Sequence, residues 1–164
     1  NEKVYIDDTA GLTPMQMRSR VRRIMLEKGL DLVIIDYLQL MGTDGKSENL
    51  QQEVSEISRR LKAIALELKI PILACAQLSR ANTQRTVKRP MLSDLRDSGS
   101  IEQDADVVMF LHREAYYDQT SEETNTAEVI IAKQRNGPLG TVKLNWLSEF
   151  TLFEDMYTDD AVEI

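Results

Sequence analysis

Two short apolar runs, each closed by a polar side chain, are the first landmark along the chain. Leu32-Val33-Ile34-Ile35 ends in Asp36, and Ile72-Leu73-Ala74-Cys75-Ala76 ends in Gln77. Between them Val54, Ile57, Leu61, Ile64 and Leu68 recur at alternating steps of three and four. That spacing predicts an amphipathic helix from about Ser47 to Leu68, stopped by Pro71. Strand, helix and strand in this order form a βαβ unit, with parallel strands buried on both faces and a right-handed crossover. Upstream, Val4-Tyr5-Ile6 predicts a short strand. Thr13 is a good N-cap and Pro14 suits the first helical position, so Met15 to Lys28 is expected to be helical, closed by Gly29. Downstream, Val107 to Leu111 predicts a third buried strand. Val129 to Ala132 predicts another, reaching Lys133, and Asn136-Gly137-Pro138 supplies turn chemistry before its hairpin partner, Thr141 to Leu147. Phe150 to Phe153 adds one more. The polar stretches Ser79 to Ser100 and Asp118 to Thr126 read as exposed loops. The expected fold is α/β, a mainly parallel sheet with a C-terminal antiparallel hairpin.

The chain has 164 residues, 42% hydrophobic and 29% charged, the size and make-up of one globular domain that buries a core without disulfides or metal. No apolar run reaches the ~20 residues of a membrane-spanning helix, so no membrane partner is expected. One cysteine, Cys75, and one histidine, His112, exclude a disulfide framework, a zinc site and a Cys-His nucleophile pair. The lone thiol suits a reducing cytoplasm. A net charge of −7 argues against nucleic-acid binding by the whole surface but not by a local basic loop. Such a loop exists: Arg80, Arg85, Lys88 and Arg89 stand together with no acidic residue among them. It reads either as a solvated loop or as a phosphate-backbone contact, and the absence of aromatic residues from Ser79 to Ser100 leaves no base stacking there.

Polar residues at the carboxyl ends of parallel strands lie where open α/β folds bind ligands. An Asp after four apolar residues also resembles the Mg²⁺-holding carboxylate motif of phosphate-loop NTPases, though many parallel strands end in Asp. Gly45-Lys46-Ser47 mimics the end of a phosphate-binding loop. The spacing fails, because the glycine required earlier is replaced by Leu40. Arg96-Asp97-Ser98-Gly99-Ser100 offers a cation and backbone amides able to form an anion nest, or a plain turn at Gly99. Lys133 and Arg135, two apart at a strand end, share a face. They fit either an anion site or a charge-guarded edge strand.

Taken together these segments resemble the C-terminal motor domain of the DnaB-family replicative helicases. The resemblance runs from Tyr5-Ile6-Asp7-Asp8-Thr9 to about Phe153. It is carried by Ile35-Asp36-Tyr37-Leu38-Gln39-Leu40, Ala76-Gln77-Leu78-Ser79-Arg80, Arg89-Pro90-Met91-Leu92-Ser93-Asp94-Leu95-Arg96, Ser98-Gly99-Ser100-Ile101-Glu102-Gln103-Asp104-Ala105-Asp106 and Ile131-Ala132-Lys133-Gln134-Arg135-Asn136-Gly137-Pro138. It implies a RecA-like phosphate-loop NTPase core, partial here, over residues 1–154, with residues 155–164 as an acidic, disordered tail. It implies a homo-hexamer that uses ATP and Mg²⁺ to move 5′→3′ on single-stranded DNA and unwind duplex during replication, with primase and a helicase loader as partners. Asp36 would hold Mg²⁺ through water, and Gln77 would sense the γ-phosphate. Arg96, Asp97 and Gly99 would grip the DNA backbone, and Lys133 and Arg135 would reach the neighbouring subunit's nucleotide. Asp97 departs from the family's more usual Glu. The family's phosphate loop and catalytic glutamate lie upstream of the matched region, so the chain is expected to be a helicase fragment inactive by itself. A catalytically silent DNA-binding or assembly module of RecA-like parts is the alternative. A recombinase or clock-type ATPase is disfavoured by the run Ser98 to Asp106.

Overall fold

The computed structural model describes residues 3–43, 49–79, 85, 87–98, 100–118 and 123–156, with the backbone alone at 96–98. Gly45-Lys46-Ser47, Arg80, Gly99 and residues 157–164 therefore lie outside the described residues. The chain divides into two compact units. One comprises Asn1–Leu78 and Leu95–Asp104, the other Ser79–Asp94 and Ala105–Ile164.

The first unit is built on helix and parallel strand. α1 spans Pro14–Lys28 and starts in a reciprocal cap. The Gln16 amide donates to the Thr13 hydroxyl at 3.4 Å, and the Thr13 amide donates to the Gln16 side chain at 3.1 Å, which satisfies two amide donors at the helix start. Gly29 ends it with φ 77°, and its N–H donates to Met25 O at 3.2 Å. β1 (Val33–Ile35) and β2 (Ile72–Ala74) pair in parallel, Val33 opposite Ile72 and Ile35 opposite Ala74. α2 (Leu50–Leu68) forms the connection, capped by the Asn49 side chain accepting from Gln52 N–H at 2.9 Å. Its stripe lands as spaced: Val54, Ile57, Leu61 and Ile64 are buried. Ile57, Leu61 and Ile64 form one cluster with Met17 and Val21 of α1 and with Leu38. Gly42 closes the turn after β1 against Gly11, whose carbonyl would lie 2.4 Å from any added Cβ.

Three expectations change in this unit. Val4-Tyr5-Ile6 is irregular and exposed rather than a strand, held to α1 by side chains. Asp7 pairs with Arg20, and the Lys28 ammonium sits 4.7 Å above the Tyr5 ring. The strands are shorter than the apolar runs and are covered on one face only. Ile34 is 62% exposed and its register partner Leu73 is 42% exposed, because the described helices pack on the other face. The polar stretch Ser79 to Ser100 contains a 3-10 helix, Leu92–Ser98, and is followed by the short α3 (Ile101–Asp104). α3 docks on α2: Ser58 Oγ donates to Asp104 Oδ2 at 2.7 Å, and Ser100 Oγ to Ser55 O at 3.1 Å.

The second unit is an antiparallel meander of β3 (Val107–His112), β4 (Thr126–Gln134), β5 (Gly140–Leu147) and β6 (Leu152–Asp155), in that spatial order. β3 was expected to be buried throughout. It alternates instead, with Val108, Phe110 and His112 inside and Val107, Met109 and Leu111 exposed, as an antiparallel strand with one covered face does. Its register with β4 slips between Val108 and Met109, which face Lys133 and Ile131, so Ala132 is the extra residue of a bulge. α4 (Glu114–Tyr117) follows β3. Trp146 packs on its register partner Phe153, ring centres 4.6 Å apart, under the Arg113 guanidinium. β6 takes in Asp155, the first residue of the expected tail. Among the described residues no helix is long and apolar enough to cross a membrane.

Candidate functional site

The two parallel strands deliver Asp36 and Gln77 to one edge of the first unit, each just past its strand and each exposed. No described residue engages the Asp36 carboxylate. The chain after Asp36 coils at once into the 3-10 turn Leu38–Leu40, and Leu38 N–H donates to Cys75 O at 2.9 Å. This turn faces the end of β2. The Gln39 side chain bonds both backbone groups of Gln77: Nε2 donates to Gln77 O at 3.2 Å, and Oε1 accepts from Gln77 N–H at 3.3 Å.

Lys133 and Arg135 lie in the second unit, where their surroundings differ from the paired-cation picture. Lys133 ends in a hydrogen bond, Nζ to Ala105 O at 2.7 Å, in a partly buried setting. Arg135 sits one residue beyond β4. Its backbone N–H donates to Asp106 O at 3.0 Å and its Nε lies 3.6 Å from Asp106 Oδ1, with both side chains about half exposed. Both cations thus contact the two residues that precede β3.

Two arginines of the basic loop have acidic partners within the second unit. Arg85 donates to the buried Asp94 carboxylate at 2.7 Å and to Arg89 O at 3.2 Å. Asp94 also accepts from Met91 N–H at 2.9 Å. Arg89 pairs with Glu128 and donates to Thr141 Oγ1 at 3.3 Å. These two arginines brace their own unit, with their side chains still partly exposed. Their acidic partners lie nine and 39 residues away in sequence, outside any local charge count. Arg96 and Asp97 are placed by backbone in the 3-10 helix Leu92–Ser98, and Gly99 lies outside the described residues.

Sequence reasoning assigned no role to Gln39, Ser58, Asp104 or His112. The first three act through bonds to residues 38 to 46 positions away, which no spacing rule detects. His112 is buried, bonds Glu114 Oε2 at 2.9 Å through Nε2 and stacks on Tyr117. The i, i+2 placement of a carboxylate was its one local hint.

The sequence pattern of the DnaB-like helicase C-terminal domain matches residues 1–155. The chain belongs to that family. It is 55% identical to the replicative DNA helicase DnaC of Bacillus subtilis (strain 168) over 98% of its length, and 55% identical to the replicative DNA helicase DnaB of Geobacillus stearothermophilus over 95%. It spans 36% and 35% of those relatives. Among solved structures, one ATPase domain superposes with a TM-score of 0.86 at 45% identity, covering 92% of this chain and 54% of that one. A DnaB-like replicative helicase, described together with its interactions with primase, superposes with a TM-score of 0.87 at 45% identity, covering 93% of this chain and 37% of that one. The DnaB-family chain therefore has the RecA-like α/β architecture of these ATPase domains, distributed as a parallel pair in one unit and an antiparallel meander in the other.

Proposed function

We propose that this chain is the C-terminal part of the motor of a hexameric replicative helicase, which couples ATP hydrolysis to 5′→3′ movement on single-stranded DNA and duplex unwinding. The observation that carries the reading is the pair of adjacent parallel strands whose chains run on to Asp36 and Gln77 at one edge. An exposed carboxylate engaged by no described side chain fits an outer-sphere ligand of nucleotide-bound Mg²⁺, the cation that neutralises phosphate charge during phosphoryl transfer. Gln77 senses the γ-phosphate from the neighbouring strand end. Arg96, Asp97 and Gly99 hold the DNA backbone, a contact that weakens with salt. Arg135 serves the nucleotide of the adjacent subunit, with Lys133 beside it. Primase and a loader dock on the longer protein, which works in the cytoplasm.

The test uses the full-length protein that carries this chain, assayed for Mg²⁺-dependent ATP turnover and for unwinding of a fork with a 5′ single-stranded tail. Asp36→Asn is expected to abolish both while the ring still assembles. Unwinding that survives Asp36→Asn, or that requires a 3′ tail, rejects the proposal.

A further inference from the structure

β2 ends at Ala74, yet the chain beyond it stays tied to the β1 side for three more residues. Cys75 N–H donates to Ile35 O at 2.9 Å, and Leu38 N–H donates to Cys75 O at 2.9 Å. The next pairing point of a parallel ladder falls two residues further, at Gln77. By then the opposing chain has turned away: Leu40 N–H and Met41 N–H donate into their own turn, to Tyr37 O and Leu38 O, each at 3.0 Å. The Gln39 side chain takes the place of that departed backbone. Its planar amide meets both the N–H and the C=O of Gln77, at 3.3 and 3.2 Å.

We propose that Gln39 is a positioning residue for nucleotide sensing. It fixes the backbone from which the Gln77 side chain projects and fastens it to the turn that directly follows Asp36. The two polar strand ends then move as one piece. This inference rests on the reading of Gln77 as the γ-phosphate sensor.

The chemistry restricts the position. A primary amide carries two donors and an acceptor in one plane. Glutamate keeps the reach but loses the donor and sets a negative charge against the Gln77 carbonyl. Methionine keeps the length and loses both partners. Asparagine keeps both and falls one methylene short.

The experiment compares Gln39→Met, Gln39→Glu, Gln77→Ala and the Gln39→Met/Gln77→Ala double variant in the full-length protein. Steady-state ATP turnover is measured with and without single-stranded DNA, together with hydrogen exchange of the peptide that contains Gln77. Gln39→Met is expected to lower the ratio of DNA-stimulated to unstimulated turnover about tenfold while the KM for ATP moves less than about twofold; a smaller amount of folded protein scales both rates alike and leaves that ratio unchanged. Gln39→Glu is expected to lose at least as much, and the Gln77 peptide exchanges faster in both. The double variant should be no slower than Gln77→Ala, since the two residues act as one unit. Additive losses, unchanged exchange, or full stimulated turnover in both Gln39 variants beside a defective Gln77→Ala overturn the role of Gln39 alone. Full stimulated turnover in Gln77→Ala overturns the sensor reading itself.

Discussion

The parallel pair and the antiparallel meander reach their candidate residues by opposite routes. In the first unit the strands are three residues each, Asp36 follows β1 directly and Gln77 stands three residues past β2, and the Asp36 carboxylate is engaged by no described side chain. In the second unit the strands run up to nine residues, and both cations at the end of β4 contact the segment before β3: Lys133 on Ala105 O, Arg135 on Asp106. A parallel ladder leaves its carboxyl edge open because the chain must depart on a long crossover. An antiparallel hairpin returns at once, and neighbouring loop groups take up whatever charge lies there. The two cations also differ from each other. A half-exposed ion pair at 3.6 Å is of the kind worth about 0–1 kcal/mol, so Arg135 gives up Asp106 at little cost. The Lys133 bond is partly buried, and its loss leaves a carbonyl without that donor. In the proposed function Arg135 is the group that serves the neighbouring subunit's nucleotide, with Lys133 beside it.

The largest expected effect separates those two cations. In the full-length protein, Arg135→Ala should lower ATP turnover by about 10³-fold or more while nucleotide still binds, the scale of a lost arginine finger. Mixing these subunits with subunits lacking their phosphate-loop lysine should restore part of the activity. Arg135→Lys should recover little, since a point charge does not match a planar fork. If mixed rings form and stay dead, the trans role fails and the contrast between the two units weakens.

Asp36 provides the next effect. Asp36→Asn should reduce kcat by about 10²-fold or more, from several kcal/mol of charge stabilisation lost, with the melting temperature unchanged because no described group depends on its carboxylate. A clear drop in melting temperature would show that Asp36 is tied into the fold as firmly as Lys133. Lys133→Met should behave in the reverse sense. It should destabilise the second unit by about 1–3 kcal/mol, the cost of an unsatisfied partly buried partner, measurable by denaturant titration. Unaltered stability with lost turnover would return Lys133 to the same role as Arg135.

The smallest effect concerns the segment before α1. Arg20, with help from the Thr9 hydroxyl and amide, holds the Asp7 carboxyl down at about 2. Arg18 likewise holds Glu67 below its ordinary value. A folded pKa below the unfolded value, ~3.9 for Asp, adds stability that is present above that value and lost as pH falls through the folded one. The melting temperature should therefore fall between about pH 4 and pH 2, and Asp7→Asn should flatten that fall slightly. An identical pH profile for Asp7→Asn would mean that this surface pair contributes nothing.

Much of the framework could be read from spacing. The three-four rhythm of Val54 to Ile64 named the buried face of α2, Thr13-Pro14 placed the start of α1, and two apolar runs ending in Asp36 and Gln77 marked the parallel pair. These are local signals, in which the residue pattern and the resulting element share the same few positions. Motif runs such as Ile35 to Leu40 and Ile131 to Pro138 pointed to the family for the same reason. The tertiary structure alone decided which charges are spent. Arg85 and Arg89 read as a solvated loop or a phosphate contact, and only the fold showed that Asp94 and Glu128 pair with them; Lys133 looked like the twin of Arg135 until Ala105 supplied a carbonyl. Gln39 carried no signal at all, because a side chain that substitutes for backbone is recognisable only when the two chains it joins lie side by side. Periodicity records what a residue does for its own element; hydrogen bonds and ion pairs across tens of residues depend on where folding brings the partner.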